Sequence, residues 1–295
     1  MDKIPEEDTN WLKRLALTQF DDQHILCVER LGGMTNRTYK VALASGTYVF
    51  RLPGNGIGKL ICRHDEKIST ELACELEIDA PLYFFDEGTG VKITRFVECG
   101  KTMCPQSMRR EENLSAAAML LRKLHTCGRD TKVRFEIFEI AKSYEDFAKL
   151  KRVRLFENYE YIYKTILELK KKMDIKPSYR VPCHNDPLCE NWVCGPQRMY
   201  LIDWEYAGMN DPMWDLADLS IEAEYDMQHD RKLLHAYFGR TPTQEETFRF
   251  DANKIYLDFL WSLWGKTQVP SEGKAMEEYA QARYCRLQKN LDKII

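Results

Sequence analysis

His184-Asn185-Asp186, with Asn191 and Asp203 downstream, supplies the oxygen donors and the carboxylate that metal-assisted phosphoryl transfer needs. Asn191 opens the apolar stretch Asn191-Trp192-Val193-Cys194, and Asp203 closes Met199-Tyr200-Leu201-Ile202. Gly195-Pro196-Gln197-Arg198 lies between them and reads as a turn. A hairpin centred on Gln197 puts Asn191 opposite Asp203, and directly opposed residues sit roughly 5 Å apart with side chains on one face. At that separation an amide oxygen and a carboxylate can share one Mg2+ or hold two neighbouring ones. Asp186, on the loop before the hairpin, can take the proton of an acceptor hydroxyl. His184 reads as a packed residue shaping that loop. Taken singly, each has a plainer role: a turn or helix cap for His-Asn-Asp, the start of a polar loop for Asp203. The matched spacing is what favours a metal site.

The elements that must hold these residues fall into two groups. Up to about Val97 the chain reads as strand-rich with one helix. Strands are expected over His24–Leu31, Thr38–Leu43, Thr47–Leu52, Leu82–Phe85 and Val91–Ile93, and a helix through Ile61, Glu66, Ile68 and Leu72. Beyond Val97 the period turns helical: Leu114, Ala117, Ala118, Leu121 and Leu124 share one face, and Ser143 to Lys172 is a charged, aromatic-rich helical region. Helices resume after the hairpin. The expected fold is α+β, a two-lobed kinase-like chain with a small strand-rich lobe (1–97) for nucleotide and a larger, mostly helical lobe (98–295) carrying the catalytic loop and acceptor pocket.

Composition removes several classes. With 43 basic and 46 acidic residues and a net charge of -3, nothing suggests a nucleic-acid surface. The ten cysteines include no C-x2-C, so they read as reduced thiols of a cytoplasmic protein. The acidic start Met1–Asp8 does not read as a signal peptide, and no apolar run is long enough to span a bilayer.

On the nucleotide side, Gly32-Gly33-Met34-Thr35-Asn36 is a glycine turn between strands, without the Gly-Lys-Ser/Thr of a Walker A. Gly33 lets backbone approach phosphate, and Thr35 or Asn36 can donate to it. Arg51, two strands on, points toward the same phosphates as a forked cation, and Glu66 on the following helix can hold it, with Asp65 or Glu71 as substitutes.

These residues resemble the choline/ethanolamine kinase family, above all its bacterial choline kinase branch, within the aminoglycoside-phosphotransferase group of kinase-like folds. The likeness is densest at Leu31–Asn36, His184–Asn191 and Ile202–Tyr206, and continues through Asn210–Ala217, Trp261–Trp264 and Tyr279–Arg283. It implies ATP as donor, Mg2+ as metal, Asp186 as base, Asn191 and Asp203 as ligands, and Arg51 on phosphate. The connector Arg95-Phe96-Val97 would meet adenine. The region from about Lys101 to Tyr179, and a loop expected from Gly265 to Lys274, match nothing in that pattern.

Glu222, Trp261, Trp264 and Tyr279 match the family's choline-pocket positions. Tyr225, three residues after Glu222, is added by proximity. Choline's head has no N–H, so aromatic faces and carboxylates bind it, each cation–π contact contributing on the order of 1 kcal/mol. Asp215 is expected to brace the catalytic loop, and Glu205 is a further candidate near the metal. The expected function is transfer of phosphate from ATP to choline. Ethanolamine, an aminoglycoside or another small alcohol is the alternative acceptor, and a catalytically silent choline-binding protein the alternative class.

Overall fold

The computed structural model describes residues 4–22, 24–32, 36–54, 61–173 and 179–294. Its elements in chain order are α1 (Glu6–Phe20), β1 (Cys27–Gly32), β2 (Asn36–Leu43), β3 (Gly46–Pro53), α2 (Arg63–Glu75), β4 (Leu82–Phe85), β5 (Lys92–Arg95), β6 (Lys101–Thr102), α3 (Pro105–Met108), α4 (Glu111–His125) and α5 (Ile137–Leu150). Then follow α6 (Tyr159–Met173), β7 (Val181–Cys183), β8 (Trp192–Cys194), β9 (Met199–Leu201), β10 (Gly208–Asn210), α7 (Pro212–Glu222), α8 (Met227–Phe238), α9 (Gln244–Glu272) and α10 (Lys274–Ile294). The mixed α+β class is as expected.

Two compact units result: 1–103 with 190–207, and 104–189 with 208–295. The division differs from a boundary at 97/98, because the segment carrying Asn191 and Asp203 packs with the first unit. The reason is local. β6 pairs with β8, Met103 N–H donates to the Trp192 carbonyl at 2.9 Å, and Leu201 N–H donates to that of Ile78 at 3.0 Å.

In the first unit β1-β2-β3-β5-β4 form an antiparallel sheet. Alternation along β2 and β3 buries Tyr39, Val41, Leu43, Tyr48, Phe50 and Leu52 against Leu12, Leu15 and Ala16 of α1. That first helix was not anticipated from the sequence. Its acidic first turn, Glu6-Glu7-Asp8, favours a helix N-terminus, and Asp8 is buried as acceptor for Arg37 and Tyr39.

In the second unit α9 is the buried centre, packed by α5, α7 and α10. Its length corrects the loop expected at Gly265–Lys274: the helix runs to Glu272, and only Gly273, at φ +67°, separates it from α10. Gly265 is not a breaker here. A Cβ at that position would lie 2.9 Å from Tyr279 Cδ1, so glycine admits close approach of α10. The helical region expected from Ser143 to Lys172 is two helices, α5 and α6. The short pair β7-β10 frames the loop that follows Cys183.

Candidate active site

In the first unit, β3 delivers Arg51 into a buried cluster of charges. Its guanidinium grips both oxygens of Glu66 (Nη2 to Oε2 at 3.0 Å) and donates to the Gly90 carbonyl at 3.0 Å. Glu66 takes Arg51, and neither Asp65 nor Glu71 shares the pair. Arg63 at 2.6 Å and Lys92 at 3.4 Å also reach Glu66. Burial would raise the Glu66 carboxyl, but Lys92 and then Arg51 outweigh it and draw it down to about 2. Arg63 continues the cluster, donating to Asn36 Oδ1 at 3.2 Å and lying 3.6 Å from Glu205.

One consequence is measurable. Glu66→Gln leaves three cations with no shared carboxylate, and breaking one partner out of a buried pair costs about 3–5 kcal/mol. Urea unfolding is expected to show a loss of that size, and a change below about 1 kcal/mol would rule the cluster out as a stabilising device. Because the folded carboxyl sits below its unfolded value, wild-type stability present above pH 4.5 is lost as pH falls toward 2, a slope the variant lacks.

The hairpin register corrects the sequence expectation by one residue. Trp192 pairs with Leu201, Val193 with Tyr200 and Cys194 with Met199, closed by Gly195 N–H to the Arg198 carbonyl at 2.9 Å. Asn191 therefore faces Ile202, whose N–H it accepts at 2.9 Å, and Asp203 lies one step beyond. A one-residue slip in a continuing strand would turn Asp203 to the other face. The strand does not continue: Asp203 adopts φ +69°, leaving the ladder. Its Oδ1 lies 3.8 Å from Arg51 Nη1 and, though buried, has no hydrogen-bond donor among the described residues. Glu205 accepts from Asn36 at 3.2 Å, and burial followed by the Asp203 charge raises its carboxyl to about 7.

Of the other nucleotide-side candidates, Gly33 and Thr35 lie outside the described residues. In the connector, Phe96 N–H donates to the Thr47 carbonyl at 3.0 Å, and the Val97 carbonyl accepts from Gly100 at 3.0 Å.

In the second unit, the loop after β7 is pinned from below. Asp215, fully buried on α7, accepts from the His184 and Asn185 amides at 2.8 Å each and from His125 at 3.0 Å. Asn185, at φ +66°, is held by Asn210 at 2.9 Å and by the Trp214 indole N–H on its carbonyl at 2.9 Å. His184 is buried and accepts the Asp186 amide through Nδ1 at 3.3 Å. Asp211 instead caps α7 through Met213 N–H and pairs with Arg249. The result is a rigid backbone with the Asp186 side chain half-buried at its end.

Around it stand aromatic rings and carboxylates. Trp261 and Trp264 meet edge-on at 6.2 Å, and Trp264 meets Tyr279 at 5.8 Å. Arg283 stacks over Tyr279 at 4.9 Å and bonds to Glu222. Tyr144 of α5 is a residue that sequence reasoning missed: burial and then the Asp186 charge hold its phenol well above the usual range. Tyr225 is corrected. The helix ends at Glu222, so the residue three further on leaves that face; its hydroxyl donates to the Met108 carbonyl at 2.7 Å and its ring stacks on His229.

The family model described as choline/ethanolamine kinase matches residues 28–259. A choline/ethanolamine kinase family protein from Mesorhizobium loti is 31% identical and superposes with a TM-score of 0.84 over 96% of this chain and 94% of that one. The choline kinase LicA of Streptococcus pneumoniae is 32% identical, with a TM-score of 0.83 over 98% and 100%. A LicA in complex with AMP is 31% identical, with a TM-score of 0.80 over 97% and 98%. The chain belongs to the choline/ethanolamine kinase family and is an ATP-dependent phosphotransferase acting on an alcohol group.

Proposed function

We propose that the alcohol is choline, so that the products are phosphocholine and ADP. The observation carrying this reading is the Trp261–Trp264–Tyr279 wall, in the same unit as Asp186 and with carboxylates behind it. Aromatic faces and negative potential suit a quaternary ammonium that can donate no hydrogen bond. Ethanolamine would want free acceptors for its N–H groups, and the Glu222 carboxylate is already engaged by Arg283.

In the proposed mechanism Asp186 orients the choline hydroxyl and takes its proton as the phosphorus–oxygen bond forms. Arg51, fixed by Glu66, neutralises phosphate charge; Gly33, Thr35 and Asn36 are assigned to phosphate binding, and Phe96 and Val97 to the adenine. The buried Oδ1 of Asp203, which has no donor among the described residues, and the hard oxygen of Asn191 fit a Mg2+ site. Bound there, the ion would offset charge on the phosphate oxygens. Glu222, Trp261, Trp264 and Tyr279 hold the head group.

The test is ADP release measured side by side with choline, ethanolamine and kanamycin. Choline is expected to give the highest kcat/KM; equal or faster turnover with either other acceptor would reassign the pocket.

A further inference from the structure

The acceptor wall holds more carboxyl groups than its own cations balance. Asp215, Asp218 and Glu222 lie on one face of α7. Asp215 is committed to the loop amides and Glu222 to Arg283. Asp218, between them, is 1% exposed, and its Oδ2 finds no hydrogen-bond donor among the described residues. Burial, followed by the Glu222 and Asp186 charges, raises its carboxyl well above the ordinary range, and Arg283 is the cation that opposes them. That guanidinium is shared: it also serves Glu222, and lies 3.5 Å from Asp258. Asp218 and Glu222 thus depend on one cation that Asp258 divides further, while the Asp186 charge adds to the negative potential at Asp218.

The remaining charged groups on neighbouring elements are engaged elsewhere. Asp258 of α9 is held by Arg286 at 2.6 Å, His125 of α4 bonds Asp215, and Asp230 of α8 binds Ser220 and Lys254. Tyr279 of α10 has its phenol raised, first by burial. The buried cations of α9 among the described residues, Arg249 and Lys266, are paired with Asp211 and Glu277.

We propose that Asp218 makes the acceptor site charge-selective: it is a positioning residue whose buried negative charge is completed by the substrate's ammonium, so the site takes cationic alcohols and disfavours neutral ones of the same shape. It acts through the wall, since it is too deep to touch the head group. Its raised carboxyl favours the protonated form when no cation is present; when the ammonium arrives the carboxyl O–H breaks, the proton passes to water, and the carboxylate faces the cation. Acceptor binding therefore strengthens as pH rises. The proposal rests on the acceptor reading above.

The experiment compares kcat/KM for choline with that for 3,3-dimethylbutan-1-ol, in which carbon replaces nitrogen, in wild type and Asp218→Asn from about pH 6 to 9. The variant is expected to lower the choline preference by about tenfold or more, through the choline KM, leaving the ATP KM unmoved. Wild-type preference rises with pH and the variant's stays flat. Because a raised carboxyl costs folded-state stability as pH climbs past its unfolded value, the variant is expected to melt no lower than wild type at neutral pH. Equal losses for both alcohols, a much lower melting temperature, or an unchanged preference would overturn the proposal. A wild type that phosphorylates neither alcohol would overturn the acceptor reading and this proposal together, whereas a competent choline kinase with unchanged preference in the variant overturns this one alone.

Discussion

Asp186→Ala is expected to lower turnover by roughly 10²–10⁴ while ATP binds with wild-type affinity. The size follows from the role proposed for Asp186: a positioned base contributes in the transition state, so kcat and kcat/KM fall together. Retained nucleotide binding follows because the cluster proposed for phosphate, Arg51 with Glu66 and Arg63, belongs to the other compact unit and loses no partner. The backbone should also survive. Asp215 and Asn210 hold the loop through the amides of His184 and Asn185 and the side chain of Asn185, none of which involves the Asp186 carboxylate. Single-turnover rates with ATP and choline, beside nucleotide affinity from fluorescence titration, separate the two effects. Near-wild-type turnover would remove Asp186 as base, and lost ATP affinity would give it a nucleotide-side role instead.

What the sequence disclosed, and what it hid, divides by the range of the interaction. Strands β2 to β4 were legible because alternation of apolar residues is local, and Glu66 was legible as a partner for Arg51 because helix and strand are near neighbours in the chain. The hairpin was read one residue out of register because four turn residues can close about Gln197 or about the Pro196–Gln197 bond, and nothing local chooses. Gly265 and Pro270 looked like a loop because both break helices in isolation. Packing against Tyr279 and Ala280 makes the glycine useful inside α9, and the proline sits in the helix's last turn. Helix α1 has a weak apolar stripe, since a charged Asp8 occupies one of its buried positions and finds Arg37 and Tyr39 only after folding. The same distance hid the acceptor wall's charge arrangement. Arg283 reaches Glu222 across 61 residues, and Tyr144 feels the Asp186 charge from a helix with no recognisable motif.

Asp203 calls for a gentler substitution than alanine. At φ +69° an alanine would be strained, whereas asparagine tolerates the left-handed region and keeps the shape. Asp203→Asn therefore removes charge and little else. Under the proposed mechanism a metal supplies several kcal/mol of charge stabilisation, and each 1.36 kcal/mol is tenfold, so turnover should fall by about 10²–10³. Three local effects make the result diagnostic. The orphaned Oδ1 position loses its negative charge, Arg51 loses a carboxylate at 3.8 Å, and Glu205 loses the largest cause after burial of its raised carboxyl. Glu205 then ionises at lower pH, so a carboxyl titrating near 7 in wild type should move toward the ordinary range in the variant. ATP affinity should also lose most of its dependence on added Mg2+, a readout independent of turnover. Full Mg2+-dependent rates in Asp203→Asn would show that the buried oxygen serves the fold and not the phosphates.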